Sequence, residues 1–180
     1  MVTCAAFLGM SLDGFISGPD NDLAWLDEPA NPTESDYGFF AFMDSVDAVV
    51  MGRNTFDFVV NYDGPWPYSK PLIVASSSLT ELPDRAVDTE LFAGDPHEIM
   101  ALAKDRGWSK LYIDGGALVT SFLAVGLLDE LTATVLPVAL GSGVPIFGEL
   151  PEYAWFELVE STVINDALVQ STYRRARPSQ

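Results

Sequence analysis

Basic residues are scarce in this chain: nine Lys plus Arg stand against 26 Asp plus Glu, for a formal net charge of −17. Nucleic-acid affinity rests on Lys and Arg neutralising phosphates, so nucleic acid is not an expected partner. Anionic membranes are disfavoured for the same reason. Cysteine and histidine occur once each. A lone Cys4 excludes an intrachain disulfide, which fits a cytoplasmic protein, and the pair is too few for a Cys/His zinc centre. His97, in Gly94-Asp95-Pro96-His97-Glu98, reads as a polar residue at a helix start rather than as the base of a nucleophile triad. No apolar run reaches the roughly 18–20 residues of a membrane helix. The N-terminal stretch has no basic n-region, so no signal peptide is expected.

What is present is an ordinary globular composition. The chain has 180 residues, 48% hydrophobic and 19% charged, enough for a single domain over 1–180 with its own core. Apolar runs bounded by turn residues predict strands over about Val2 to Gly9, Asp47 to Met51, Leu72 to Ala75, Val87 to Phe92 and Lys110 to Asp114. Helices are expected from Thr33 or Ser35 to about Val46, after Arg53, from Asp95 or His97 to Arg106, and from Ala117 to Val125. Strands alternating with helices imply a parallel sheet covered on both faces. The tail differs: a long strand over Leu128 to Val138 containing Pro137, then runs over Ala154 to Ile164 and Ala167 to Arg174. Asn165-Asp166 between those runs suits a two-residue hairpin turn. The segment Ser11 to Asp22, rich in Gly, Pro, Asn and Asp, is a long loop of the kind that often carries function.

Three strand ends hold unusual residues. After Ala48-Val49-Val50-Met51 comes Gly52-Arg53-Asn54-Thr55. A glycine turn into a helix start points free backbone N–H groups at an anion, and an arginine there is telling in a chain so poor in cations. Phosphate is one guest for it, and a solvated surface turn is the other reading. Ser76-Ser77-Ser78 follows the third strand, and Gly115-Gly116 follows the fifth. In open α/β sheets ligands bind beyond the carboxyl ends of the strands.

On these residues the chain resembles the dihydrofolate reductase-like fold. Within it, the resemblance is to the reductase domain of the bifunctional riboflavin-biosynthesis deaminase–reductase and its stand-alone bacterial relatives. Ser11-Leu12-Asp13-Gly14, Met51-Gly52-Arg53-Asn54-Thr55, Ile113-Asp114-Gly115-Gly116, and Leu128-Asp129-Glu130-Leu131 with Pro137 and Gly141-Ser142-Gly143 occur in that family's order. The resemblance implies an α/β three-layer fold with a mixed, mostly parallel sheet and a C-terminal antiparallel hairpin. It implies NADPH as cofactor and a small heterocyclic substrate, a ribosylamino-pyrimidine 5′-phosphate or a pterin. A protein that binds the dinucleotide without turnover is the remaining alternative.

The resemblance also implies roles. Arg53 and Ser77, with Ser76 beside them, would hold the adenosine 2′-phosphate. Gly52, Asn54 and Thr55 would meet the pyrophosphate or ribose. Gly115-Gly116, with a cis peptide between them, would lie beside the nicotinamide, next to Ala117 and Leu118. Two acids are candidates for the substrate side: Asp13 in the first loop and Asp36, sixteen residues ahead of Gly52. A homodimer through the late strands, using the apolar run Leu131 to Leu140, is implied as well. One departure stands out: the expected first helix and the segment Asn54 to Ser69 contain no Lys or Arg for a substrate phosphate.

Overall fold

A computed structural model of the protein describes residues 1–29, 31 and 34–176. The strands are β1 (Thr3–Met10), β2 (Phe15–Ser17), β3 (Ala48–Gly52), β4 (Leu72–Ala75), β5 (Thr89–Phe92), β6 (Lys110–Asp114), β7 (Glu130–Val135), β8 (Val144–Pro145), β9 (Phe156–Ile164) and β10 (Leu168–Arg175). The helices are α1 (Phe39–Asp44), α2 (Arg53–Asn61), α3 (Pro96–Asp105) and α4 (Gly116–Ala124). Eight strands form one sheet in the order β5-β4-β3-β6-β1-β7-β10-β9. The first six positions are parallel, and β10 and β9 add antiparallel.

The alternation of side chains along each central strand builds the three layers. Val50, Ile73, Leu111 and Ile113 face one way, onto Ile99 and Ala103 of α3 and Val119, Phe122 and Leu123 of α4. Val49, Met51, Leu72, Val74 and Tyr112 face the other way, onto Met43 of α1 and Phe56 of α2. Because both faces are covered, these strands read as continuous apolar runs. Full burial of a side chain such as Phe56 or Phe122 contributes ~1.5–3 kcal/mol.

The first helix is shorter than its sequence suggests. Tyr37 and Gly38 sit at φ 55° and 83°, outside helical space, so the helix begins only at Phe39. Of the two expected caps, Thr33 lies outside the described residues. The Oγ of Ser35 accepts from the Tyr37 amide at 3.0 Å, within the turn ahead of the helix. The strand expected over Leu128 to Val138 is only Glu130–Val135. Pro137 offers no N–H to a ladder, and the Val138 amide donates instead to the Leu136 carbonyl. The hairpin turn lies where expected, with Asn165 and Asp166 at φ 53° and 55°, but the register pairs Ile164 with Leu168, so Ala167 joins them in a three-residue connection rather than a two-residue one. The short pair β2–β8 ties the first loop to the 141–145 loop.

Most of the apolar run expected to form an interface is buried, with only Pro137 and Ala139 exposed. Leu131, Ala133 and Leu136 are 5, 5 and 3% exposed, because Leu131 and Ala133 belong to the core that includes α4 and Leu136 packs with Trp25 and Leu168. The exposed apolar side chains of this region are Trp155, Leu158, Val159 and Val163 on or beside β9, with Val169 on β10.

Candidate functional site

The carboxyl ends of β1, β3, β4 and β6 open onto one cleft of about 560 Å³. Its lining includes Gly52, Arg53, Asn54 and Thr55, then Gly115, Gly116, Ala117 and Leu118. The structure therefore brings two of the three sequence motifs together. The third motif sits beside them at the rim: β4 pairs with β3 at Gly52↔Ala75, Ala75 lines the cleft, and Ser76 and Ser77 follow. The Oγ of Ser76 accepts from the Ser78 and Leu79 amides at 3.2 and 3.1 Å, which folds the turn, while Ser77 is exposed.

The two helices that start at the cleft are both capped by glycine. Neither Gly52 ahead of α2 nor Gly115 ahead of α4 supplies a side-chain cap, so first-turn N–H groups lack that partner. A Cβ on Gly52 would meet nothing within 4 Å, which leaves an open approach to the α2 amides. By contrast, α3 also begins at this edge of the sheet but carries a full capping box. Its Glu98 amide donates to Asp95 Oδ1 at 2.9 Å, and the Asp95 amide donates to Glu98 Oε2 at 2.8 Å. Arg53 projects from the first turn of α2. Its Nε donates to both oxygens of Asp57 at 2.8 and 2.7 Å, which orients the guanidinium and leaves its Nη groups without a partner among the described residues.

Gly115 makes the turn from β6 into α4 with φ 95° and ψ 135°. Its peptide to Gly116 is trans, since no cis bond occurs among the described residues. The expected cis peptide is replaced by this torsion, which a side chain would resist. A Cβ on Gly115 would collide with Thr55 Oγ1, and one on Gly116 would come within 2.8 Å of the Pro145 carbonyl oxygen. The glycine pair is thus what lets α2, α4 and the 144–146 segment converge.

Asp13 and Asp36 lie outside the cleft lining. The Asp13 carboxylate accepts from Ser11 Oγ at 2.7 Å and from the Leu140 and Gly141 amides at 3.0 and 2.7 Å. Led by the Ser11 hydroxyl, these bonds hold it down to about 2. It staples the first loop to the 138–143 loop. Asp36 accepts from the Phe40 and Gly38 amides at 2.7 and 3.1 Å, which lowers its pKa and caps α1.

The acid that does face the cleft is Asp114, the last residue of β6. Burial pushes its carboxyl up from the ordinary range, against the opposing hydrogen bond from Tyr68. Tyr68 Oη donates to Asp114 Oδ2 at 3.1 Å, and the neighbouring Tyr112 donates to the Phe7 carbonyl at 3.0 Å. The turn motifs do not single out Asp114. The available signal was a carboxylate closing the otherwise apolar run Leu111-Tyr112-Ile113 immediately before two glycines. Phe7, Leu8, Ile16, Leu23 and Leu26 give the remaining wall of the cleft an apolar character. Among the described residues, no group of three His, Cys, Asp or Glu side chains could hold a metal ion.

A family model described as the RibD C-terminal domain matches residues 2–169. The Bacillus subtilis protein YwjB is 36% identical over 172 residues, covering 94% of this chain and 96% of its own. A protein of Shewanella sp. PV-4 named for riboflavin biosynthesis has been solved. It is 43% identical, with a TM-score of 0.94 across 98% of this chain and 100% of that one. The dihydrofolate reductase of Enterococcus faecalis is 21% identical, with a TM-score of 0.67 over 97% of each chain, and shares the fold.

Proposed function

The chain belongs to the RibD C-terminal domain family, and from that premise we propose that it is an NADPH-dependent reductase of a small heterocyclic compound. The observation that carries this reading is the pair of glycine-capped helix N-termini opening on one cleft beside Arg53. Uncapped helix amides suit a diphosphate, and the guanidinium fork suits a phosphomonoester. Arg53 and Ser77 would hold the 2′-phosphate, with Ser76 shaping their turn. Gly52, Asn54 and Thr55 would meet the diphosphate or ribose, and Gly115 to Leu118 the nicotinamide end. The fold relative from Enterococcus faecalis was solved with NADP(H), which agrees with this assignment.

Bound there, NADPH supplies a hydride to an electrophilic carbon of the substrate. The chain's own residues bind, exclude water and manage the proton. Burial raises the Asp114 pKa, so its carboxyl would keep a proton to higher pH than an exposed carboxylate does, and Tyr68 donates to it and orients it. Phe7, Leu8 and Leu26 present an apolar face to a flat ring and keep bulk water from it.

Titration with NADPH is expected to enhance and shift its fluorescence to saturation. Arg53→Ala should weaken NADPH by roughly tenfold or more while leaving NADH within about twofold, since only NADPH carries the second phosphate. No change in NADPH fluorescence at saturating protein would refute the reading. NADPH binding without oxidation by any pterin or pyrimidine would leave a dinucleotide-binding protein instead.

The same reading makes the chain a homodimer. Its interface lies on the outer hairpin, where Val163 is 64% exposed and pairs in register with Val169, 43% exposed. Light scattering should return twice the chain mass, and Val163→Glu should return the monomer. A monomeric wild type would remove the dimer from the proposal.

A further inference from the structure

The distribution of cations limits what else can enter the cleft. Among the described residues, Arg53 is the one Lys or Arg that lines it. The other described cations gather at the opposite, amino-terminal edge of the sheet. Lys70 immediately precedes β4, Lys110 opens β6, and Lys104 and Arg106 close the helix that feeds β6. Arg85 is anchored to the Val60, Tyr62 and Gly64 carbonyls at the far end of α2. Arg174 and Arg175 end β10, where Arg174 pairs with Glu130 at the start of β7.

Backbone anion sites are equally committed. The first amides of α1 already hold the Asp36 carboxylate. Those of α3 hold Asp95. The ends of α2 and α4 are the ones taken by the dinucleotide in the reading above. An adjoining depression shares Asn21, Asn54 and Phe58 with the cleft and contributes Asp20, Asp57 and Asp63. A phosphate entering from that side meets carboxylates rather than cations, and a buried anion without a partner is strongly disfavoured.

We infer that the substrate is an uncharged planar ring compound bearing no phosphate. This rests on the NADPH assignment, since that assignment is what occupies Arg53 and the two helix ends. Selection comes from the apolar wall of Phe7, Leu8, Leu23, Leu26 and Tyr112, with Asp114 as the polar contact.

The test is equilibrium binding to NADPH-saturated protein, read by calorimetry. Two matched pairs are compared: a 6-ribosylaminouracil against its 5′-phosphate, and 7,8-dihydropterin against 7,8-dihydrofolate. In at least one pair the uncharged member should bind, and no anionic partner should bind more tightly than its twin. Leu23→Lys should reverse that order for the phosphate pair, by about tenfold in favour of the phosphate. A wild-type preference of about tenfold for the phosphorylated uracil overturns the inference, and so does failure of both uncharged rings to bind. Failure to take up NADPH at all is a separate result, seen in the preceding titration, and sinks the cofactor reading on which this one stands.

Discussion

Asp114→Asn is expected to lower turnover by about 10²–10⁴-fold, the range for loss of a positioned acid, while NADPH affinity stays within about threefold of wild type. Asparagine keeps the size of the side chain and an oxygen to accept from Tyr68, so the β6–α4 junction should stand. What it lacks is a titratable proton. Burial raises the Asp114 pKa, so the carboxyl stays protonated at a pH where exposed carboxylates have ionised. If it serves as the acid, kcat/KM falls as pH rises through that raised value, and this limb disappears in Asp114→Asn. Stability has the same sign. A carboxyl whose pKa is raised by folding contributes stability below its unfolded value, about 3.9, and loses it as pH rises through the folded value. Above that window the asparagine variant should melt no lower than wild type. Steady-state rates across pH, with melting curves alongside, decide the matter. A variant with full turnover and an unchanged profile would show that the proton comes from elsewhere.

Gly115→Ala should abolish NADPH binding and lower kcat/KM by at least about a hundredfold, since a misplacement of about 1 Å can cost that much. Two faults combine. An L-residue at φ 95° and ψ 135° is strained by roughly 1–3 kcal/mol, and its Cβ collides with Thr55 Oγ1. Thr55 belongs to the first turn of α2, so relief of the collision moves one glycine-capped helix end away from the other. From the strain alone the melting temperature should fall by about 2–12 °C, given ~2–4 °C per kcal/mol for a chain of this size. Gly107→Ala separates strain from site. Gly107 has φ 73°, with open space for a Cβ, and follows α3 far from the cleft. That variant should melt lower and still bind NADPH as wild type does. Equal NADPH affinity in Gly115→Ala and wild type would show that the convergence at Gly115 is not needed for the cofactor.

The parts of the fold that read directly from the sequence are those where local pattern and burial agree. Ala48-Val49-Val50-Met51 and Leu72-Ile73-Val74-Ala75 are apolar on both faces because helices cover both, and each ends in turn residues. Their bounds held to within a residue. The start of α1 was not legible. It depends on positive torsions at Tyr37 and Gly38 and on the Asp36 carboxylate binding two amides. The pair β2–β8 is three residues against two, too short for any periodicity, and arises from contact between loops. At the site, Gly52-Arg53-Asn54-Thr55 and Gly115-Gly116 announced themselves as punctuation after strands. Asp114 did not, because its character comes from burial and from Tyr68, 46 residues away. Asp13 and Asp36 read as candidate acids because a one-letter code does not show which amides a carboxylate has already engaged.

On the proposed cofactor reading, the segregation of charge would also shape how an anionic dinucleotide reaches this cleft. The attractive centre, one guanidinium and two helix ends, lies inside a strongly negative surround. At physiological ionic strength fields fade over about 8 Å, so a dinucleotide would feel the guanidinium and helix ends only when almost in contact. There is no long-range steering to raise the encounter rate. Whatever affinity the cleft attains must therefore reside in slow release, and the lifetime of the complex, rather than the speed of its formation, is where natural variation at Arg53, Asp57 and Ser77 would be felt.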